Sequence, residues 1–201
     1  MKYKVRWNNT AQPNKKDLGL AIRAWQFDCE GRCHNASLFL LYKAYPENRC
    51  VEKVLLKVSA LNDFYMTRIW KTYAVAERIA KVKGLDALIR AGSPKAVAKV
   101  AACGVNPETG AKRILYSFAT KYCHFHNPEA YQIYDRYVDE TLRHFRRLNC
   151  TLEFENRDLH DYAVFQRIVD ALAQRYGLDG TRENIDKYLW ILGKSLSVNK
   201  I

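Results

Sequence analysis

The residues best equipped for chemistry fall in one run, Lys112 to Val138, KRILYSFATKYCHFHNPEAYQIYDRYV. It carries Lys121, then His124 and His126, an Asn127-Pro128 turn, and Asp135. A lysine removed from water loses some preference for the ammonium form, and a nearby carboxylate can act as its base. A chain that doubles back at Asn127-Pro128 would carry Asp135 towards Lys121. Such a pair reads either as an amine nucleophile with its base or as a structural salt bridge, and the residues alone leave both open. His124 and His126 stand two apart, a spacing that on a helix points them in different directions, so no shared metal is expected.

Within the run, Ile114, Leu115, Phe118, Tyr122 and Phe125 form an apolar stripe on a helix extending from Lys112 to His126, with Lys121 and His124 on its flank. Asn127-Pro128 ends that helix. Asp135 opens the next, where the helix dipole favours a carboxylate.

Ser117-Phe118-Ala119-Thr120-Lys121 resembles the position of the Gly-x-Gly-x-Lys hairpin in the helix-hairpin-helix DNA glycosylases of the 8-oxoguanine and endonuclease III type. Ile133-Tyr134-Asp135-Arg136-Tyr137-Val138 is similar to the element bearing their catalytic aspartate. Ser117 and Ala119 stand where that superfamily has its hairpin glycines, and Lys121 and Asp135 are 14 residues apart, a shorter interval than in the superfamily. The segment Lys-Tyr-x-His-Phe-x-Asn-Pro before Ile-Tyr-Asp also resembles one in uncharacterised bacterial proteins. The resemblance implies two closely packed helical lobes with a degenerate hairpin. It also implies a partner, double-stranded DNA, and excision of a damaged base flipped from the duplex. Asp135 would stabilise the charge developing on the sugar, and Lys121 would form a Schiff base. Tyr122, His124, Tyr134 and Trp190 would contact the substrate, and Ser117 and Thr120 would lie against a phosphate. No cofactor is implied. Two other readings stand beside this one: a nucleic-acid-binding module that kept the scaffold without the chemistry, and a helical interaction protein whose polar cluster is structural.

Charge bears on all three. The 201 residues hold 33 basic and 21 acidic side chains, a net +12. The excess lies in the first hundred residues, which hold 19 basic and 8 acidic groups. Such asymmetry suits a polyanion. Residues 65–99 alone hold eight basic and two acidic side chains, and Lys95 and Lys99, one helical turn apart, are candidates for phosphate contact. Six scattered cysteines follow no disulfide-framework spacing, and the start does not read as a signal peptide, so a reduced cytoplasmic setting is expected. Cys29, Cys33 and His34 would make half of a zinc site, and the other half is not in the sequence. No apolar run reaches the roughly 18 residues of a membrane span.

The elements that must position these residues are helical, because the apolar side chains recur at 3.6-residue spacing and hardly alternate. The expected class is all-α, a single domain or two lobes of about 17–104 and 110–201. The expected order begins with a lead-in containing one short strand, KYKVRW. A helix capped by Asp17 follows, then a turn at Glu30-Gly31-Arg32. A central, buried helix follows Asn35. Next come a helix from Val51 and one from Lys71 that stops at Gly84. A short LDALIRAG helix precedes another capped by Ser93-Pro94. The loop Gly104–Gly110 separates these from the chemical run. Beyond that run, helices are expected over 134–148, 158–176 and after Thr181.

Overall fold

A computed structural model describes residues 12–106, 108–150 and 153–198. They are mostly helical, with ten α-helices among them and one two-stranded antiparallel pair. The all-α expectation holds. The proposed KYKVRW strand lies outside the described residues. The chain divides into two compact units, Cys33–Tyr131 and a second assembled from Met1–Arg32 with Gln132–Ile201. The Gly104–Gly110 loop, read above as the separation between lobes, lies inside the first of these.

The Cys33–Tyr131 unit contains most of α2 (Cys29–Ala44), then α3 (Val51–Tyr65), α4 (Thr72–Ala80), α5 (Leu85–Arg90), α6 (Pro94–Ala101) and α7 (Tyr116–His126). Strands β1 (Gly104–Val105) and β2 (Lys112–Arg113) pair Gly104 with Arg113 and Val105 with Lys112. The helix expected from Lys112 therefore begins only at Tyr116, because Lys112 and Arg113 are used in the strand pair. Gly104 has no alternative there: a Cβ would sit 2.0 Å from the Arg113 carbonyl oxygen.

The central helix of this unit is α7. Every residue from Phe118 to Phe125 is buried. The helix expected to be central, α2, buries Leu38 and Tyr42 but leaves Leu40 70% exposed. Its start also differs from expectation. Residues 30–32 do not turn, because the Asp28 carboxylate accepts the Gly31 amide at 3.0 Å and caps the helix there. Ser93 caps α6 with Pro94 in first position, as expected. Gly84 takes φ +71°, the left-handed turn that sets α5 after α4.

The other described unit holds α1 (Lys15–Gln26), α8 (Arg136–Arg147), α9 (Tyr162–Arg175) and α10 (Arg182–Val198), with a single 3-10 turn at Asp158–His160. Asn14, not Asp17, caps α1. The Asn14 side chain accepts the Asp17 amide at 2.9 Å and donates to the Asp17 carboxylate at 2.9 Å. The helix expected to be continuous over 158–176 breaks at Asp161, whose carboxylate accepts the amides of Ala163 and Val164 to start α9. α10 packs against both α1 and α8.

Candidate functional site

Residues 117–120 form the first turn of α7, so no hairpin exists there. With Ser117 and Ala119 in place of glycine, nothing favours the left-handed backbone of a tight turn. The Ala119 amide instead donates to the Leu115 carbonyl at 2.9 Å, the ordinary helical bond. Lys121 thus lies inside a buried helix, 3% exposed. Its amine donates to Ser117 Oγ at 2.8 Å, one turn back, and sits 5.4 Å from the centre of the Tyr65 ring. Thr120 is also buried and donates to the Ser117 carbonyl at 3.0 Å. Both hydroxyls assigned to a phosphate are directed into α7.

Asp135 caps α8, as its place at a helix start suggested. Its Oδ1 accepts the amides of Tyr137 and Val138 at 2.9 and 3.0 Å. Asp135 belongs to one unit and Lys121 to the other. Of the aromatics, Tyr122 is fully buried. Tyr134 is 7% exposed and donates to Asp139 Oδ1 at 2.9 Å; burial, then this bond, raises its phenol above the ordinary range. Trp190 lies edge-on to Trp25 and to Tyr137, with the Lys194 amine 4.4 Å from its ring centre. His124 is 1% exposed, and its Nδ1 lies 2.8 Å from the Tyr131 carbonyl, which makes Nδ1 the protonated nitrogen. Tyr122, Tyr134 and His124 pack the interiors of their own units, and Asp135 and Trp190 are half-buried. Lys95 and Lys99 are the exception, both exposed on α6.

The densest polar cluster centres on two residues that were not among the sequence candidates, Lys57 and Asn48, and draws in Tyr122 and His126 from the chemical run. Lys57 on α3 is wholly buried. Its amine donates to the Tyr45 and Glu47 carbonyls, both at 3.0 Å, and to Asn48 Oδ1 at 2.7 Å. His126 Nε2 approaches the same amine at 3.1 Å. Asn48 is the hub. Its backbone and side-chain N–H groups donate to Asp86 Oδ1 at 3.1 and 2.8 Å, which fixes the amide's orientation. Its Oδ1 then accepts from Lys57 and from the Tyr122 hydroxyl. Burial lowers the Lys57 amine to about 7, against a smaller opposing pull from Asp86. Burial and then the Lys57 charge hold His126 well below its ordinary value, and burial holds the Tyr122 phenol well above its own. The arrangement ties α3, α5 and α7 to the connection that leaves α2. Lys57 gives the orphan carbonyls at that connection their donor.

The surface of this unit is different in character. Cys33–Tyr131 contains 15 basic and 7 acidic side chains, a net +8. Arg68, Lys71, Lys83, Arg90, Lys95 and Lys99 are exposed, and none forms an ion pair among the described residues. The two carboxylates in this stretch are occupied: Glu77 pairs with Lys81 at 2.9 Å, and Asp86 holds Asn48. The described residues contain no group of three His, Cys, Asp or Glu placed to hold a metal ion. They also contain no helix long and apolar enough to cross a membrane.

A family described as HI_0787_N, N-terminal domain, matches residues 18–130. The match ends beside Tyr131, the last residue of the basic unit, and it includes the Lys57 cluster and the cationic surface. Asp135 and Trp190 fall outside it. A protein of Haemophilus influenzae (strain ATCC 51907 / DSM 11121 / KW20 / Rd), named only as an uncharacterized protein, is 34% identical over 146 residues, which are 73% of this chain and 69% of that one. No solved structure matches.

Proposed function

The chain belongs to the HI_0787_N family, and we propose that it is a nucleic-acid-binding protein that uses the basic Cys33–Tyr131 unit to hold the phosphate backbone, without excising bases. One observation carries this reading: of the eight cations of residues 65–99, Arg68, Lys71, Lys83, Arg90, Lys95 and Lys99 are exposed with no ion pair among the described residues, because Glu77 is taken by Lys81 and Asp86 by Asn48. Unneutralised surface cations are what a polyanion with its counterion atmosphere binds. The chemistry implied by the glycosylase resemblance has less support. A Schiff-base mechanism needs an amine that a sugar carbon can approach, and Lys121 is buried with its amine on Ser117. Loss of the hairpin removes the backbone amides that would meet a phosphate.

The test is fluorescence anisotropy with labelled DNA and RNA over a series of salt concentrations. Binding should weaken steeply as salt rises, with a log–log slope of roughly −0.7 to −0.9 per phosphate neutralised. The double substitution K95E/K99E should weaken binding to every sequence alike. Absence of binding at low salt, or affinity independent of salt, would refute the reading.

A further inference from the structure

We infer that the turn between α3 and α4, together with the first turn of α4, is a stacking platform for single-stranded nucleic acid, with Trp70 and Tyr73 as the rings on which unpaired bases lie. This names the ligand class for the binding proposed above and rests on that proposal. Trp70 is 76% exposed and Tyr73 61%, and neither has a ring or hydrogen-bond partner among the described residues. Trp25 and Trp190, by contrast, are packed on each other. Met66 is 81% exposed on the same turn. Ile114, 67% exposed, follows Arg113, whose guanidinium donates to the Arg68 carbonyl at 3.2 Å and so joins the end of β2 to the turn.

The turn is built to hold these side chains outward. Asn62 Oδ1 accepts from the Ile69 amide and the Thr67 hydroxyl, both at 2.8 Å, and Asn62 Nδ2 donates to the Ile69 carbonyl at 3.2 Å. Ile69 itself is buried and anchors the loop from below. Met66 and Arg68 take φ of 47° and 58°, left-handed values that are strained for a residue with a Cβ. The Asn62 clasp and the Arg113 bond keep them there. A flexible loop would let an exposed tryptophan fold down onto the surface. This one is pinned on both sides of Trp70's neighbour Ile69.

The charge around the rings selects the ligand. Arg68, Lys71 and Lys112 are exposed and Arg113 half-buried, and no carboxylate pairs with any of them among the described residues. Aromatic faces flanked by cations match a strand whose bases are free to stack and whose phosphates run alongside. In a duplex the base faces are already stacked and only the phosphates remain available. An apolar protein partner would gain nothing from four cations around the contact.

The experiment compares labelled oligothymidylate and oligouridylate of roughly 20 nucleotides with a duplex of equal length at the same salt. Single strands of either sugar should bind at least about tenfold tighter than duplex, since each stacked base contributes roughly 1–3 kcal/mol. W70A/Y73A should lose most of that preference while keeping duplex affinity and the salt slope, and W70F should retain it. Both rings are exposed, so unchanged melting of W70A/Y73A is the check that the variant is folded. Preference for duplex, or W70A/Y73A binding single strands like the parent, would overturn the platform. So would a dimer that W70A/Y73A converts to monomer, since the rings would then serve a second copy of the chain. Salt-dependent binding indifferent to Trp70 and Tyr73 would remove this inference alone, whereas no binding to any nucleic acid would remove both.

Discussion

Lys57 Nζ stands 3.1 Å from His126 Nε2, and both approach Asn48 Oδ1, at 2.7 and 3.1 Å. Two positive charges at that separation in a poorly hydrated site are incompatible, so the cluster accepts at most one. The other groups facing it are the Tyr42 and Tyr122 rings and, through Asn48, the Asp86 carboxylate.

The cluster makes stability depend on pH. Lys57 has an ordinary value of 10.5 and about 7 in the fold, so its contribution is complete above pH 10.5 and declines as pH falls towards 7. His126 is likewise depressed, from 6.5, and its contribution declines further below that pH. The melting temperature should therefore fall steadily from about pH 9 to about pH 5. Lys57→Met should flatten the upper part of that profile and also cost about 2–4 kcal/mol, because the Tyr45 and Glu47 carbonyls lose their donor. His126→Gln should flatten the lower part. Thermal melting across this range decides it, and a wild-type profile without slope would show that the cluster does not titrate on folding.

Asp135 distinguishes a cap from a catalyst. Asp135→Ala removes the acceptor of two amides and should cost about 1 kcal/mol, a melting decrease of roughly 2–4 °C for a chain of this size. Asp135→Asn, which keeps an oxygen for those amides, should lose less. Neither should change nucleic-acid affinity more than about twofold, since both substitutions act at a helix start outside the basic unit. Base release by the wild type that disappears in Asp135→Asn, without a change in melting, would restore the excision reading.

The helical class, the Ser93-Pro94 start of α6 and the Asp135 start of α8 were legible because each is a local signal: a capping oxygen before a periodic run. The cap at Asn14 and the break at Asp161 were legible in kind but displaced. Several Asx residues near a helix end compete, and small differences in backbone angle choose between them. Lys57 is a residue of solvent-seeking type on the buried face of α3. Its position, three residues after Val54 and four before Leu61, is the apolar stripe itself, so spacing pointed inward while residue type pointed outward. What sequence could not supply was the compensation, because Tyr45, Asn48, Asp86 and His126 come from three other places in the chain. The burial of Lys121 and His124 escaped for a related reason. A helix at the centre of a unit is buried on all sides, and periodicity marks only one of them.

Gly193 sets how closely α10 meets α8. Glycine inside a helix costs about 1 kcal/mol relative to alanine, so its presence needs a reason. A Cβ at Gly193 would lie 2.1 Å from the Tyr137 carbonyl oxygen and 2.8 Å from Thr141 Oγ1. That threonine is itself committed, its hydroxyl lying 2.8 Å from the Leu189 carbonyl and 2.9 Å from that of Tyr137. The obstacle is therefore backbone, and the helices must separate to admit a methyl group. Gly193→Ala should destabilise by about 3 kcal/mol, the upper range for overpacking. Gly19 in α1 is the control, with nothing within 4 Å of its built Cβ. There Gly19→Ala should stabilise by roughly 0.5–1 kcal/mol. Chemical denaturation of the two variants reads opposite signs if the α8–α10 approach is as close as described, and equal gains for both would contradict it.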